Sequence, residues 1–413
     1  MSNIYTSIDI GSYSIKVVVL QKVGNKFNTL ATTSVRSKGI ERGRVINEED
    51  LIKSIKSAID SVSNIIGIKI DKVLLAISAK DAIMDIIPAQ VDITNDKVSG
   101  DDISNLLRDA VSGQSFVKNE LVTAFPIKFK VDGVEYSNAK GVTGDKLSSR
   151  VVISVTPKND LYNLFRILKR CGVDVVDIMY TSTGDYYAIQ RDYSNKVGAI
   201  INIGYLDTNV SVFNRGIQIK NSVIARGSIN VDKDIDYIYR VGTDKASKLK
   251  ETFAVADSLY ADNSEVIKID DKEINQEEIS RVVEARIREI LEVSEKEIKN
   301  LTNRQISYII VSGGLTEISG FNHLLEKVIN KAEVLNLVTI GIRHNKFSSC
   351  YGAILYYDNK LSLRDKHYDM VDKEQFIQSL NIQEEKKEEK DNKNKRAMNK
   401  MFNFFGNKED DLW

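Results

Sequence analysis

Three prolines in 413 residues leave little to interrupt long regular elements. There are two cysteines, Cys171 and Cys350, far apart and without Cys-x-x-Cys spacing. That usage argues against a disulfide scaffold or a thiolate zinc site and fits a reducing compartment. The histidines His323, His344 and His367 are scattered and suggest neither a metal set nor a catalytic triad. No run of about 18 apolar residues occurs, so no segment is expected to span a bilayer. The first residues enter a strand without a basic-then-apolar leader, and no signal peptide is expected. Charge of one sign is also missing. Lys plus Arg and Asp plus Glu number 58 each, so bulk electrostatics announce neither nucleic acid nor an acidic partner. What remains is a cytosolic chain, 42% apolar, with material for two to three domains or one large two-lobed fold.

Against that background the segment Ile8-Asp9-Ile10-Gly11-Ser12-Tyr13-Ser14-Ile15-Lys16 carries the most information. An apolar strand breaks at Asp-x-Gly-Ser and resumes as a second strand. A turn of this kind exposes backbone N–H groups from Gly11 to Ser14, and such nests bind anions, phosphates in particular. Asp9 stands where a carboxylate can hold Mg²⁺ through water, and Lys16 where an ammonium can neutralise a phosphate. An ordinary hairpin with a polar turn accounts for the segment equally well.

The wider pattern is α/β. Strands are expected over residues 4–10, 15–20 and 27–35, with Gly24-Asn25 as a hairpin turn. Leu51, Ile52, Ile55, Ala58, Ile59 and Val62 then recur at helical period, and a strand over 72–77 follows. Residues 81–150 read as a small inserted α+β unit, its helix carrying Ile103, Leu106, Leu107 and Ala110 on one face. The main pattern is expected to resume with a strand over 151–155, a helix over 159–171 and a strand over 173–178. A second lobe opens at Val197 with three strands, over 198–203, 208–213 and 216–225, which repeat the opening arrangement. Helices over 232–240, 244–250 and 276 to about 301 follow. A strand over 307–311 ends in Ser312-Gly313-Gly314, a helix starts at Phe321, and the core closes with 348–357.

From Val371 the composition changes. Residues 371–394 read as a flexible charged linker with too little apolar surface to offset ordering entropy. Beyond it Met398, Met401, Phe402 and Phe405 fall at i, i+3, i+4 and i+7, one stripe of a helix. Lys395, Arg396, Asn399, Lys400 and Asn403 fill the flanks, and Phe404 sits at the stripe's edge. Residues 395–413 therefore read as a basic amphipathic helix that anchors to an anionic membrane surface. Packing back on the body and docking in a partner's groove are the alternatives. Burial of four such side chains yields about 1.5–3 kcal/mol each at best, before the cost of ordering the helix. One tail is a weak anchor, and several tails on one assembly bind far more firmly.

Two further turns bear on chemistry. In Asn202-Ile203-Gly204-Tyr205-Leu206-Asp207-Thr208, Gly204 suits phosphate approach, but Tyr205, Leu206 and Asp207 are bulky or acidic. Asn202 stands where a carboxylate is expected, and an ordinary polar hairpin explains the segment as well. Ser312-Gly313-Gly314-Leu315 allows close backbone approach to a nucleoside, or simply a tight turn. Lys250 reads by default as a solvated surface lysine.

With these turns and the inserted unit, the chain resembles the actin/Hsp70/sugar-kinase superfamily, and within it the FtsA family of bacterial cell division. The likeness covers about residues 4–357 plus the terminal helix. Asp9 through Lys16 resembles the family's first phosphate motif, and Gly141-Val142-Thr143-Gly144-Asp145-Lys146-Leu147 its inserted Gly-Met-x-Gly-x-x-Leu. Glu284-Ala285-Arg286-Ile287-Arg288-Glu289-Ile290 resembles its long 2B helix, and Val311-Ser312-Gly313-Gly314 its adenosine turn.

The resemblance implies a two-lobed actin-like (ribonuclease H-like) ATPase fold with an α+β 1C (SHS2-type) subdomain inserted in the first lobe. Subdomain 1A would comprise residues 1–80 and 151–195, 1C 81–150, 2A 196–240 and 305–360, and 2B 241–304. It implies ATP and Mg²⁺ between the lobes. Gly11, Ser12, Tyr13, Ser14 and Lys16 would hold phosphates, with Asp9 on the metal through water. Gly204 would face them, Gly313 and Gly314 would border the adenosine, and Lys250 would reach the nucleoside. Ser247 replaces the glutamate of the family's Ala-Glu-x-x-Lys. Asn202 replaces the aspartate of its Asp-x-Gly-Gly-Gly-Thr-Thr, removing charge that would support Mg²⁺ or the attacking water. Weakened nucleotide binding with little or no hydrolysis follows, and no catalytic residue is assigned. Arg286 and Arg288 would meet the FtsZ C-terminal peptide. The implied role is an adaptor that polymerises on the cytoplasmic face of the membrane at the septum, tethers the FtsZ ring and recruits other division proteins. A PilM-like pilus scaffold and an Hsp70-like ATPase are the competing readings.

Overall fold

The computed structural model describes residues 2–189 and 191–371. The chain opens as an antiparallel meander of β1 (Ser2–Ile10), β2 (Ser14–Val23) and β3 (Lys26–Arg36). A short hairpin of β4 (Ile40–Glu41) and β5 (Arg44–Val45) leads into α1 (Glu48–Ile66), and β6 (Lys72–Ile77) returns parallel to β1. The ends of α1 are set locally. The Asn47 side chain accepts the Asp50 N–H, and Gly67 ends the helix in the left-handed region. Its expected stripe, from Leu51 to Val62, is buried against the sheet.

A separate four-stranded sheet follows, built from β7 (Ile83–Asp92), β8 (Asn119–Val131), β9 (Val134–Tyr136) and β10 (Lys146–Pro157) in the order β7-β10-β8-β9. The helix α2 (Gly100–Ser112) covers it, and Ile103, Leu106, Phe129, Val151 and Ile153 form its core. Here the structure corrects the reading of residues 151–155. They do not resume the main pattern. They are the second half of β10, paired with β7 along one edge and β8 along the other. A short apolar run does not say which sheet it joins. The main pattern resumes with α3 (Lys158–Arg170) and β11 (Asp174–Tyr180), which runs parallel to β6. Then α4 (Thr181–Tyr187) leaves the first lobe.

The second lobe repeats the plan. Its meander is β12 (Val197–Ile203), β13 (Thr208–Asn214) and β14 (Ile217–Ile224). It is followed by α5 (Ser228–Tyr239), α6 (Thr243–Thr252), the hairpin β15 (Val266–Ile269) and β16 (Lys272–Asn275), and α7 (Gln276–Leu301). The strand β17 (Tyr308–Ser312), helix α8 (Phe321–Val328) and strand β18 (Ala332–Val334) complete the sheet. The two large sheets run β11-β6-β1-β2-β3 and β18-β17-β12-β13-β14, the same topology twice.

Between them lie α4 and α9 (Ser348–Leu363), in a core that includes Tyr5 and Val18 from one sheet and Ile200 and Tyr308 from the other. The two helices cross backbone to backbone. A Cβ at Gly352 would stand 1.7 Å from the Gly184 carbonyl oxygen, a contact only glycine permits. The chain stays packed beyond the boundary expected at 360: Met370 is buried and donates its N–H to Ile4 O, and Val371 packs on the first core. Among the described residues no helix is long and apolar enough to cross a membrane. The expected anchor residues Lys395, Arg396, Met398, Lys400, Met401, Phe402, Phe404 and Phe405 lie outside the described residues.

Candidate functional site

The first turn joins β1 to β2 at the Ile10–Ile15 pair. Gly11 donates its N–H to Ser14 O at 3.2 Å, and Ser12 Oγ accepts the Arg42 N–H at 2.9 Å. The Ser12 and Tyr13 N–H groups donate to no atom among the described residues, so the turn keeps two free donors for an anion. Asp9 and Lys16 are register partners across the hairpin, and Lys16 Nζ lies 3.0 Å from Asp9 Oδ2. The pair is mostly buried. Lys16 therefore balances Asp9 in this geometry, and an incoming phosphate would compete with that carboxylate for it.

The corresponding turn of the second lobe, between β12 and β13, closes in the same way, but its carbonyls are engaged by the next helix. Gly204 donates to Asp207 O at 2.9 Å, while the Gly204 and Tyr205 carbonyls accept the Ser228 and Ile229 N–H groups opening α5. A helix start that could have faced an anion is thereby satisfied internally. Asp207 is half-buried, and burial pushes its carboxyl up against the opposing pull of Arg42 and Lys80.

Asn202 does more than leave a charge out. Its Nδ2 donates to Asp185 Oδ2 at 2.5 Å. Asp185, on α4, is fully buried and also accepts from Ser312 Oγ at 2.8 Å, Ser348 Oγ at 2.6 Å and Ser349 Oγ at 2.9 Å. Burial raises its carboxyl, and these four donors oppose that rise. An aspartate at 202 would face Asp185 acid to acid; the amide supplies a donor instead. Asp185 thus ties α4, β12, β17 and α9 together at the junction of the lobes. Nothing in Thr183-Gly184-Asp185-Tyr186 signals this, because the partners come from distant segments.

The third turn follows β17. Gly313 takes φ 103°, and a Cβ there would stand 2.3 Å from Ile203 O, so glycine is required both by conformation and by contact with β12. Lys250 corrects the reading of a solvated lysine: it is 2% exposed, with Nζ 2.6 Å from Asp232 Oδ1 and 2.9 Å from Ser228 Oγ. Burial raises the Asp232 carboxyl, and Lys250 opposes the rise. The polar face of a short helix turned inward because a buried acid on α5 awaited it.

These elements meet in a cleft between the lobes, formed by two adjoining cavities of about 190 and 330 Å³. All ten expected ligand-binding residues line one or both: Asp9, Gly11, Ser12, Tyr13, Ser14, Lys16, Gly204, Lys250, Gly313 and Gly314. The residues present suit a nucleotide, with free N–H donors and an ammonium on one side and a bare glycine turn on the other. Among the described residues no three His, Cys, Asp or Glu side chains converge as a metal site. Direct contacts also cross the cleft. The Tyr13 and Tyr205 rings lie 4.7 Å apart, the Arg36 guanidinium stands 3.8 Å from the Tyr13 centroid, and Arg42 reaches Leu206 O at 3.5 Å. Tyr205 was expected only to crowd the second turn, and Arg36 and Arg42 were not singled out, because their contacts come from segments distant in sequence.

Arg286 and Arg288 lie on α7, away from the cleft. Arg286 holds Asp234 at 2.5 and 3.0 Å and also bonds Glu289; Arg288 holds Glu284 at 2.9 Å. A docking acidic peptide would compete with these carboxylates.

Residues 199–352 match the family model "Cell division protein FtsA". The chain is 23% identical over 393 residues to the cell division protein FtsA of Bacillus subtilis, covering 92% of this chain and 89% of that protein. It is 25% identical over 358 residues to FtsA of Streptococcus pneumoniae, covering 83% and 78%. Among solved structures, the PilM-PilN type IV pilus biogenesis complex superposes with a TM-score of 0.57 at 16% identity, over 85% of this chain and 98% of that one. MreB5 of Spiroplasma citri bound to ADP superposes with a TM-score of 0.54 at 13% identity, over 88% and 99%. The fold is the two-lobed actin-like one, and the resemblance to FtsA holds over most of the chain.

Proposed function

We propose that this chain, similar to FtsA in sequence and actin-like in fold, is a cell-division adaptor. In this reading an adenine nucleotide sits between the lobes, the protein assembles on the cytoplasmic face of the membrane at the septum, and it tethers the FtsZ ring there. The observation that carries the nucleotide part is the convergence of three turns, at Gly11, Gly204 and Gly313, on one cleft between two sheets of equal topology. The first turn's free N–H groups and Lys16 would bind phosphate, Asp9 would orient a hydrated Mg²⁺, and the Gly313-Gly314 turn would border the adenosine. The second turn offers no carboxylate at 202, where Asn202 is bonded to Asp185, and this supports weak binding and little hydrolysis. The described boundaries support assigning residues 83–157 to the 1C unit and α7 to 2B.

Membrane attachment rests on residues 395–413, and FtsZ binding on Arg286 with Arg288 as its neighbour. Flotation of the full chain with anionic liposomes and FtsZ tests the role. Attachment should be lost when residues 395–413 are removed, and FtsZ should then stay in solution. Retained flotation would refute the anchor. Arg286→Glu should weaken the FtsZ C-terminal peptide by about tenfold, read by fluorescence anisotropy, because one attraction becomes a repulsion. Unchanged affinity would remove Arg286 from that site. The likeness to PilM favours one alternative, a scaffold recruited by a membrane protein's cytosolic tail. Such a scaffold needs no lipid anchor, so the same flotation separates the two. An Hsp70-like ATPase would instead turn over ATP repeatedly.

A further inference from the structure

Two apolar side chains project from the second lobe: Leu259 is 81% exposed and Tyr260 60%, on a 3₁₀ turn over Ser258–Tyr260. The turn is held in place. Ser258 donates its N–H and Oγ–H to Glu284 on α7, at 2.9 and 2.6 Å. The Tyr260 ring stacks on His323 of α8, with centroids 4.4 Å apart. A hollow of about 590 Å³ opens beside the turn, lined also by Asp262, Glu277 and Arg281. Arg281, Glu284 and Arg288 follow at i, i+3 and i+7 on one face of α7, and Lys327 lies 5.9 Å from the Tyr260 ring. Each of these cations has an acid of its own, but the acid is the more buried member. Arg281, Arg288 and Lys327 are 68%, 37% and 40% exposed, against 32%, 19% and 0% for Glu277, Glu284 and Asp257. The surface around the turn is thus apolar at its centre and positive along its rim. Asp262 and Glu277 mark its acidic end, at the start of α7.

We propose that residues 409–413 of this same chain, Glu409-Asp410-Asp411-Leu412-Trp413, dock on this face. Three consecutive carboxylates followed by two large apolar side chains complement it in both charge and polarity. Leu412 and Trp413 cover Leu259 and Tyr260, and the carboxylates reach toward Arg281, Arg288 and Lys327. The other acidic stretch beyond the described residues, Glu384-Glu385-Lys386-Lys387-Glu388-Glu389, interleaves its charges and is followed by no such apolar pair. The 409–411 run also suits an anionic lipid surface poorly, because that surface repels it while drawing in Lys395, Arg396 and Lys400. Length is no obstacle. Residues 372–408 extend to about 120 Å, several times the radius of gyration of about 21 Å expected for a body of this size. While docked, the segment denies the face to any other acidic partner. Arg288 is shared with the proposed FtsZ contact, so the two would compete, a consequence that alone rests on that reading.

Trp413 is the single tryptophan of the chain, so its fluorescence reads the docking directly. In the full chain, without lipid or FtsZ, acrylamide should quench Trp413 several-fold less than it quenches the free peptide of residues 405–413. Tyr260→Ala and Arg281→Glu, both at exposed positions, should each raise quenching to the peptide's level. Reversing the tail instead, with Glu409→Lys, Asp410→Lys and Asp411→Lys together, should do the same. Joining that triple reversal to Arg281→Glu and Arg288→Glu should restore the shielding, which local damage to either partner would not. Arg150→Glu, on the inserted sheet, should leave Trp413 shielded. Quenching of the wild-type chain equal to the peptide's, or shielding that survives both Tyr260→Ala and Arg281→Glu, overturns the proposal. So does release by Arg150→Glu, which would seat the segment on the inserted sheet, or release on dilution, which would seat it on a second copy.

Discussion

The two lobes carry the same five-strand order, and the turn after the first strand closes alike in both, by Gly11 N–H to Ser14 O and Gly204 N–H to Asp207 O, yet the groups around the two turns are committed differently. In the first lobe Ser12 and Tyr13 keep their N–H groups free, and Lys16 pairs with Asp9 at the cleft wall. In the second, the Gly204 and Tyr205 carbonyls hold the start of α5, Asn202 serves a buried carboxylate, and Lys250 is locked to Asp232 in the interior. Topology places a turn, but what its carbonyls and flanking side chains are bonded to decides what that turn offers a ligand. The first lobe's polar groups face outward to the cleft. The second lobe's largely hold the lobe together.

Exchanging the roles of the two lysines should break this comparison most sharply. Lys250→Met leaves Asp232 buried without its cation and should cost about 3–5 kcal/mol in urea denaturation. Lys16→Met should cost much less stability while removing nucleotide binding. Equal losses would mean that both pairs are structural.

Next in size is Asn202→Asp, which would restore the first lobe's residue type at the second turn. It removes the donor to Asp185 and sets two carboxylates together, for about 1–3 kcal/mol. Asp185 already has a folded pKa raised above its unfolded value by burial. Its contribution is thus complete below the ordinary carboxylate range and is lost as pH rises through the folded value. A second acid raises that value further, so the variant's deficit should grow from pH 4 to pH 8. A deficit independent of pH would show that the two groups do not interact.

The smallest effect sharpens the contrast at Asp207. Burial raises this carboxyl too, so it costs stability increasingly as pH climbs above the ordinary range. Asp207→Asn should raise the melting temperature at pH 7, by the equivalent of less than about 1 kcal/mol, and the gain should vanish near pH 4. A gain of equal size at both pH values would exclude the carboxylate charge as its source.

Local patterns made much of this legible. The stripe of α1, its Asn47 and Gly67 ends, the paired meanders and the three glycine turns all depend on residues close in sequence. Lys250 was not legible, since a lysine's burial depends on an acid 18 residues away on another helix. Nor was Asp185, whose four donors come from three other elements.

Periodicity, turn chemistry and motif spacing by themselves determined an α/β duplication with a glycine-containing turn near each lobe's start, because strand pairing and turn formation are short-range demands. Only the tertiary structure decided that residues 151–155 join the inserted sheet, that Asn202 answers a buried acid, and that Tyr13 meets Tyr205 across the cleft. Each of those outcomes is a contact between segments far apart in the chain. Its energy depends on what arrives opposite, and no single stretch of residues records that.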